Sequence, residues 1–328
     1  MEYEENEMKT RVIGIDLSMD RTTYAIVDIR GNIVASGHFD TSEYPDLNNY
    51  VDKLCAEIVE LAEANGGLMS IRSAGVSVPS GSSLTNSIIN ASNLPWKGII
   101  PLGAMMRDRL GVAVAVGNDA HVAALGEQAF GSAHGIRDFI VVTIGEGVGS
   151  CFFSNGHEHQ GFDGLSGEFG HTCMVEGGRQ CGCGKKGCLE TYTAAQGIVT
   201  TAKEILTESD EPSLMRQLER LSPRTIKECC DQNDALAIRV YQKTGHIMGI
   251  ALANYASIVN PEAIILTGGV SKAGKWILQP LRESFEEHIF PSMRGKTKVV
   301  ISKLNNHERD VLGASVLAWH VKEYSLFL

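Results

Sequence analysis

The stretch HTCMVEGGRQCGCGKKGCLE, from His171 to Glu190, supplies one imidazole and three thiols: His171, Cys181, Cys183 and Cys188. That is the donor set of a closed, tetrahedral structural zinc site, with no coordination position left for water. Gly182, Gly184 and Gly187 let the backbone turn sharply around an ion. The plainer alternative is a loop of reduced surface thiols. The chain has eight cysteines, and the crowding of three of them into 181–188 is unlike scattered core cysteines. Immediately upstream, Glu168 and His171 stand three apart in GLSGEFGH, a spacing that puts both on one side of a helical turn. Glu190 follows the last of the three cysteines directly. Carboxylates accept hydrogen bonds from sugar hydroxyls, and a metal-anchored loop would hold them ready; the alternative is a pair of solvated loop acids.

Asn118-Asp119 closes the run VAVAVGNDA, at a strand-to-helix junction. Ligands of open α/β sheets sit at the carboxyl ends of strands. An Asp at a helix N-terminus is held ionised by the dipole, which suits a base taking a proton from a hydroxyl. The same residue could be a simple helix cap. Two glycine turns, Gly145-Glu146-Gly147-Val148-Gly149 and Leu266-Thr267-Gly268-Gly269-Val270, could bring backbone N–H groups against phosphates or an adenosine. Either one alone looks like many ordinary β-turns.

The elements that must position these residues repeat a pattern. RVIGIDLS reads as a strand, TTYAIVDIRGNIVASGHFD as two more with a turn at Arg30-Gly31-Asn32, and residues 47–64 as an amphipathic helix. SAGVSVPS reads as a buried strand, 80–98 as a functional loop, and 101–110 and about 120–130 as helices. The second half restarts the same grammar with DFIVVTIGEGVGSCFFSNGHE, adds the irregular insert 161–190, and continues with helices near 194–207, 212–220, 224–230 and 233–258. EAIILTGGV and KVVIS read as strands and Leu312 to Tyr324 as a closing helix, while residues 1–9 read as disordered. The reading is a duplicated α/β fold with a cleft between its halves. An N-terminal domain over 10–118, completed by a C-terminal helix at about 310–326, would precede a larger domain over 119–309 that carries the zinc loop.

Composition excludes several functions. Hydrophobic residues make up 43% and charged residues 21%, the balance of a globular protein. Net charge is −10 with no basic block, which argues against nucleic-acid binding. No apolar run approaches the roughly 20 residues that span a bilayer. The acidic start MEYEENEMKT is unlike a secretory or mitochondrial leader, so a cytoplasmic location is expected.

Taken together, GEFGH followed by CGCGKKGCLE, Asn93-Leu94-Pro95-Trp96, Gly117-Asn118-Asp119-Ala120, Thr143-Ile144-Gly145 and Leu266-Thr267-Gly268-Gly269 resemble the ROK family in order and spacing, from about Val12 to Trp319. The glucokinase-like branch is the nearest in pattern. The resemblance implies an actin-like, ribonuclease-H-like duplicated fold, with a sugar and ATP in the interdomain cleft. Asp119 would be the base on the sugar 6-hydroxyl, and Asn93, Asn118, Asp119, Glu168, His171 and Glu190 would hold the sugar. His171 would turn one ring nitrogen to zinc and the other to the sugar. Asp16, Gly145, Gly147, Gly149, Gly268 and Gly269 would serve ATP and its Mg²⁺. A homodimer or homotetramer, with hexose and ATP as partners and neither nucleic acid nor membrane, is implied too.

The phosphate edge departs from this pattern. After Gly14-Ile15-Asp16 the family continues Gly-Gly-Thr, where this chain has Ser18-Met19-Asp20, and the usual Gly-Thr-Gly is Gly145-Glu146-Gly147. A like-charge pair at 5–6 Å costs about 3 kcal/mol at an effective dielectric of about 20, roughly a hundredfold in binding. Two readings follow: an ATP-dependent hexokinase, or a sugar-binding sensor with a degenerate ATP site. Repressors of the family carry an N-terminal helix-turn-helix, which nine polar residues ahead of the first strand are not expected to supply.

Overall fold

The computed structural model describes residues 9–91 and 93–321, so the expectation of disorder over 1–9 lies outside it except at Lys9, as does the end of the closing helix. The chain forms two compact units. Residues up to His134, together with those from His307 onward, make one, and Gly135–Asn306 makes the other.

The first unit opens with β1 (Arg11–Leu17), β2 (Arg21–Asp28) and β3 (Ile33–Asp40), continues through α1 (Leu47–Glu63) to β4 (Ile71–Val78), and adds the short β5 (Gly81–Ser82), β6 (Ser87–Ile89) and β7 (Ile99–Ile100). Then come α2 (Leu102–Leu110), β8 (Ala113–Asn118) and α3 (Asp119–Phe130). Its main sheet runs β3-β2-β1-β4-β8, antiparallel through β1 and parallel beyond it, while β5, β6 and β7 make a small sheet inside the expected loop 80–98.

The second unit has β9 (Phe139–Ile144), β10 (Val148–Ser154) and β11 (His157–Glu158), then α4 (Glu190–Thr193), α5 (Ala195–Glu208), α6 (Pro223–Asp231), α7 (Ala235–Val259), β12 (Ala263–Thr267), α8 (Lys275–His288) and β13 (Lys298–Ile301). Its sheet, β11-β10-β9-β12-β13, repeats the order and strand directions of the first. That repetition is the duplication legible in the sequence. The chain closes with α9 (Asn306–Trp319). No helix among the described residues is long and apolar enough to cross a membrane.

Period-two alternation in β1 decides what faces what. Ile13, Ile15 and Leu17 enter the core shared with α1 and α2, whereas Val12 packs with Val311, Leu312 and Ala318 of α9. Gly14 and Asp16 share the α9 side. The returning helix lies so close that a Cβ on Gly14 would stand 2.2 Å from the Val311 carbonyl oxygen, and one on Gly75 2.0 Å from that of Ala314. Helix α3 joins the same layer, with Gly126 against the Arg309 carbonyl and Gly313 against that of Val122. This backbone-to-backbone packing places α3 in the first compact unit, which runs to His134. Neither oxygen belongs to a flexible side chain, so Gly75→Ala is expected to lower stability by about 3 kcal/mol, the upper end for overpacking. Urea unfolding followed by circular dichroism measures it; a loss below about 1 kcal/mol would mean that α9 slides freely on the sheet.

Candidate functional site

In the second unit the metal loop is built by a tight reversal. Cys181 N–H donates to the Lys185 carbonyl (2.9 Å), Gly184 N–H to that of Cys181 (3.1 Å), and Gly187 N–H to that of Arg179 (2.8 Å). Gly187 has φ +75°, and a Cβ there would fall 1.7 Å from the Val175 oxygen, so only glycine fits. The ligand atoms of His171, Cys181, Cys183 and Cys188 all lie within 4.8 Å of one another. His171 Nδ1 is 3.6 Å from Cys181 Sγ, and Cys183 Sγ is 3.7 Å from Cys188 Sγ. Tetrahedral ligands at ordinary Zn–S and Zn–N lengths stand about 3.5–3.8 Å apart, so donor set and spacing both fit Zn²⁺. The backbone N–H of Lys185 holds the Cys183 thiol below its ordinary range, while burial and the neighbouring Cys183 and Cys181 push Cys188 up to about 12. Three thiolates would be stable here only against a cation.

Arg179 staples this loop to α5. Its guanidinium donates to the Thr191 carbonyl (2.7 Å), the Gly197 carbonyl (3.1 Å) and Thr201 Oγ1 (3.0 Å), and it covers the Tyr192 ring at 4.5 Å. The sequence reading missed it because its partners lie up to 25 residues away.

His171 faces two ways. While Nδ1 meets the thiols, Nε2 lies 3.8 Å from Glu168 Oε2. Glu190 is also divided. Its Oε2 accepts the Val148 N–H (3.0 Å), and its Oε1 lies 4.0 Å from Cys181 Sγ. It thereby ties the metal loop to the turn Gly145–Gly147, where a Cβ on Gly147 would come within 2.8 Å of Glu190 Oε2 and push that carboxylate aside. Gly149 lies in β10, opposite Thr143. Gly268, at φ +89°, is pressed against the Ile144 backbone, since Thr267 and Thr143 are partners at the ends of the parallel strands β12 and β9. The two glycine turns are therefore neighbours at carboxyl strand ends. Beside Glu146 a hollow of about 660 Å³ runs between α5 and the start of α6, lined by Lys203, Arg216 and Arg220 among others.

In the first unit the loop holding the exposed Asn93 is pinned on both sides. Leu94 and Trp96 are buried, the Trp96 ring meets that of Tyr50 at 4.5 Å with the planes tilted by 47°, Trp96 donates to the Pro45 carbonyl (3.1 Å), and Lys97 donates to the Leu94 carbonyl (2.9 Å). Asn118 is the cap of α3: its Oδ1 accepts the Ala120 N–H (3.0 Å). Asp119 is the first helical residue, and it too accepts from Ala120 N–H (2.8 Å). Although the residue as a whole is exposed, burial by the protein around its carboxyl raises its pKa, opposed by Ala120 N–H and by Arg309.

Asp16, at the end of β1, is pushed up to about 8 by burial first, then by Asp310 and Asp119, with Arg309 opposing. Arg309 and Asp310 open α9 and were not anticipated; two adjacent charges at a helix start look like surface residues. Arg309 is only 5% exposed, and its Nε and Nη2 grip Asp310 Oδ1 at 2.6 and 2.5 Å. Asp16, Asp119 and Asp310 offer the oxygen donors that Mg²⁺ takes, but a buried guanidinium already brings a positive charge among them, so these residues do not fit a tightly held resident Mg²⁺.

The expected phosphate edge is a closed turn. Ser18 N–H donates to the Arg21 carbonyl (3.0 Å), and Ser18 Oγ accepts the Arg21 N–H (3.2 Å). The Ser18 side chain thus occupies the Arg21 N–H from within the turn. Met19 and Asp20 beyond it are exposed.

Comparison with known proteins gives these arrangements a lineage. The ROK family model matches residues 12–321. A glucokinase of Halalkalibacterium halodurans is 32% identical over 320 residues, covering 95% of this chain and 94% of the relative. A xylose repressor of Bacillus spizizenii is 26% identical, covering 94% of this chain and 77% of the repressor. The crystal structure of a ROK family glucokinase from Streptomyces griseus, in complex with glucose and AMPPNP, superposes with a TM-score of 0.80 at 29% identity, covering 95% of this chain and all of that one. Motifs, sheet order and whole-length similarity agree, and the chain belongs to the ROK family.

Proposed function

We propose that this protein is an ATP-dependent hexose kinase that transfers the γ-phosphoryl group to the sugar 6-hydroxyl, with glucose the best-supported substrate. Asp119 carries the reading: it sits at the first turn of α3 with a pKa raised above the ordinary 3.8, and a base works best as its pKa approaches the operating pH. Asp119 accepts the hydroxyl proton as the 6-oxygen attacks; the new O–P bond forms while the bond from the γ-phosphorus to the bridging oxygen breaks, and ADP leaves. Mg²⁺ enters as part of the MgATP substrate. Such transfer depends on positioning and charge more than on covalent help. In the first unit Asn93, Asn118 and Asp119 are the sugar ligands of this reading, and in the second Glu168, His171 and Glu190. Gly145, Gly147, Gly149, Gly268 and Gly269, with the hollow beside Glu146, serve the nucleotide in this reading, and Asp16 serves its Mg²⁺. Zn²⁺ on His171, Cys181, Cys183 and Cys188 is structural. The glucokinase relatives and the glucose and AMPPNP complex support sugar and ATP as substrates. A coupled assay over a panel of hexoses with MgATP tests the reading: turnover fastest with glucose supports it, and no turnover with any hexose refutes it.

The closed Ser18 turn and the exposed Glu146 favour a second reading, a sugar sensor with weakened ATP binding. The quadruple variant Ser18→Gly, Met19→Gly, Asp20→Thr, Glu146→Thr separates the two. If bulk and charge handicap a kinase, it gains about tenfold in kcat/KM for MgATP, the equivalent of about 1.4 kcal/mol. A fall in activity would mean that these side chains serve the reaction.

A further inference from the structure

The first unit contains a charge balance that its motifs do not explain. Asp16 is the penultimate residue of β1, Asp119 begins α3, and Asp310 is the fifth residue of α9, and Asp310 and Asp119 both raise Asp16. Three acids whose charges meet at Asp16 need a counter-charge, yet their oxygens form no set at metal-ligand spacing among the described residues. Instead, Arg309 is buried at the same place, clamped to Asp310, and its charge also acts on Asp16 and on Asp119. Its position is not free to drift. The Arg309 carbonyl oxygen is wedged against Gly126 of α3, and two residues later the Val311 oxygen is wedged against Gly14, itself two residues before Asp16 on the same face of β1. Two glycine contacts thus fix the backbone of this arginine against the strand and the helix that carry the two acids. A surface arginine would need neither burial nor such seating.

We propose that Arg309 is the built-in cation of this acid cluster, a positioning residue that holds Asp16 and Asp119 in place without a bound divalent ion. An arginine keeps its charge at any physiological pH, and its planar fork is suited to bridging carboxylates. A Mg²⁺ that exchanges with each nucleotide would then leave the acids balanced between turnovers. The catalytic consequence rests on the kinase reading; the charge balance does not.

The test compares Arg309→Met, which keeps much of the length without the charge, with Arg309→Lys, which keeps the charge, in the full-length protein. Melting temperature is measured with and without about 10 mM MgCl₂ and no nucleotide. Wild type is expected to respond little to the salt. Arg309→Met should melt lower, and Mg²⁺ should raise its melting point by about 3 °C or more as the ion takes the empty charge position. Arg309→Lys should resemble wild type. Because the methionine variant could be too unstable to purify, the pair Asp16→Asn with Arg309→Met is made alongside, and removing one acid should bring stability back toward wild type, a strong non-additivity. In hexose assays Arg309→Met should lose about tenfold or more in kcat with little change in hexose KM, and Arg309→Lys should recover most of it. A methionine variant no more responsive to Mg²⁺ than wild type, or a double variant weaker than the single, overturns the proposal. So does a lysine variant as impaired as the methionine one, since that marks a packing role. The melting measurements decide even if no hexose is turned over, so a failed kinase reading and a failed charge balance are told apart.

Discussion

Asp119→Asn is expected to lower hexose turnover by about 10²-fold or more while hexose affinity stays within about threefold. The amide keeps the size of the carboxylate, and its oxygen can still accept the Ala120 N–H that Asp119 now takes at 2.8 Å. What it cannot do is accept a proton. The variant also removes one of the charges that raise Asp16, so the protein should be no less stable than wild type, and lost turnover cannot be laid to unfolding. Steady-state kinetics, calorimetric titration with hexose and a thermal melt make the set. Near-normal turnover would reduce Asp119 to a helix-terminal residue, and weakened sugar binding with kcat intact would make it a ligand only.

The second large effect concerns the metal loop. Elemental analysis of protein purified without added metal should find about one zinc per chain, as a site of three cysteines and one histidine requires. Cys183→Ser should abolish that content and weaken hexose binding by about 10–100-fold, the range seen when a metal site loses its supporting interactions. The reason is local. His171 turns Nδ1 to Cys181 and Nε2 toward Glu168, and Glu190 spans from Cys181 to the Val148 N–H. Loosening the thiols frees both acids together. Metal-free protein that binds hexose normally would overturn this.

How far the sequence reaches differs between these places. The metal loop was legible because all its constraints are local: four ligands, and glycines at turns such as Gly187 whose neighbours lie within the same segment. The repeated sheet order was legible because each half restarts with the same strand-and-turn pattern. Helix α8 was not read, although Ile277, Leu281 and Phe285 recur at helical spacing, because Pro280 inside it and Gly274 before it look like helix breakers. The helix expected at 212–220 is a single short turn, Leu214–Gln217. The Arg309 cluster was invisible for a different reason. Asp16, Asp119 and Arg309 are separated by more than a hundred residues at each step, and what joins them is the seating of α9 on Gly14 and Gly126, which no local pattern encodes.

That seating also orders events during synthesis. Residues up to His134 form a unit that is completed only by the chain from His307 onward, so the β1 and β4 surface around Gly14 and Gly75 emerges from the ribosome without its covering helix. At about 5–20 residues per second, the intervening segment takes roughly 10–35 s to be made. The later unit, Gly135–Asn306, is continuous and can close first. The half of the chain that is made first is therefore the half that finishes last, and throughout that interval a sheet face with bare glycines is open to chaperones and to aggregation.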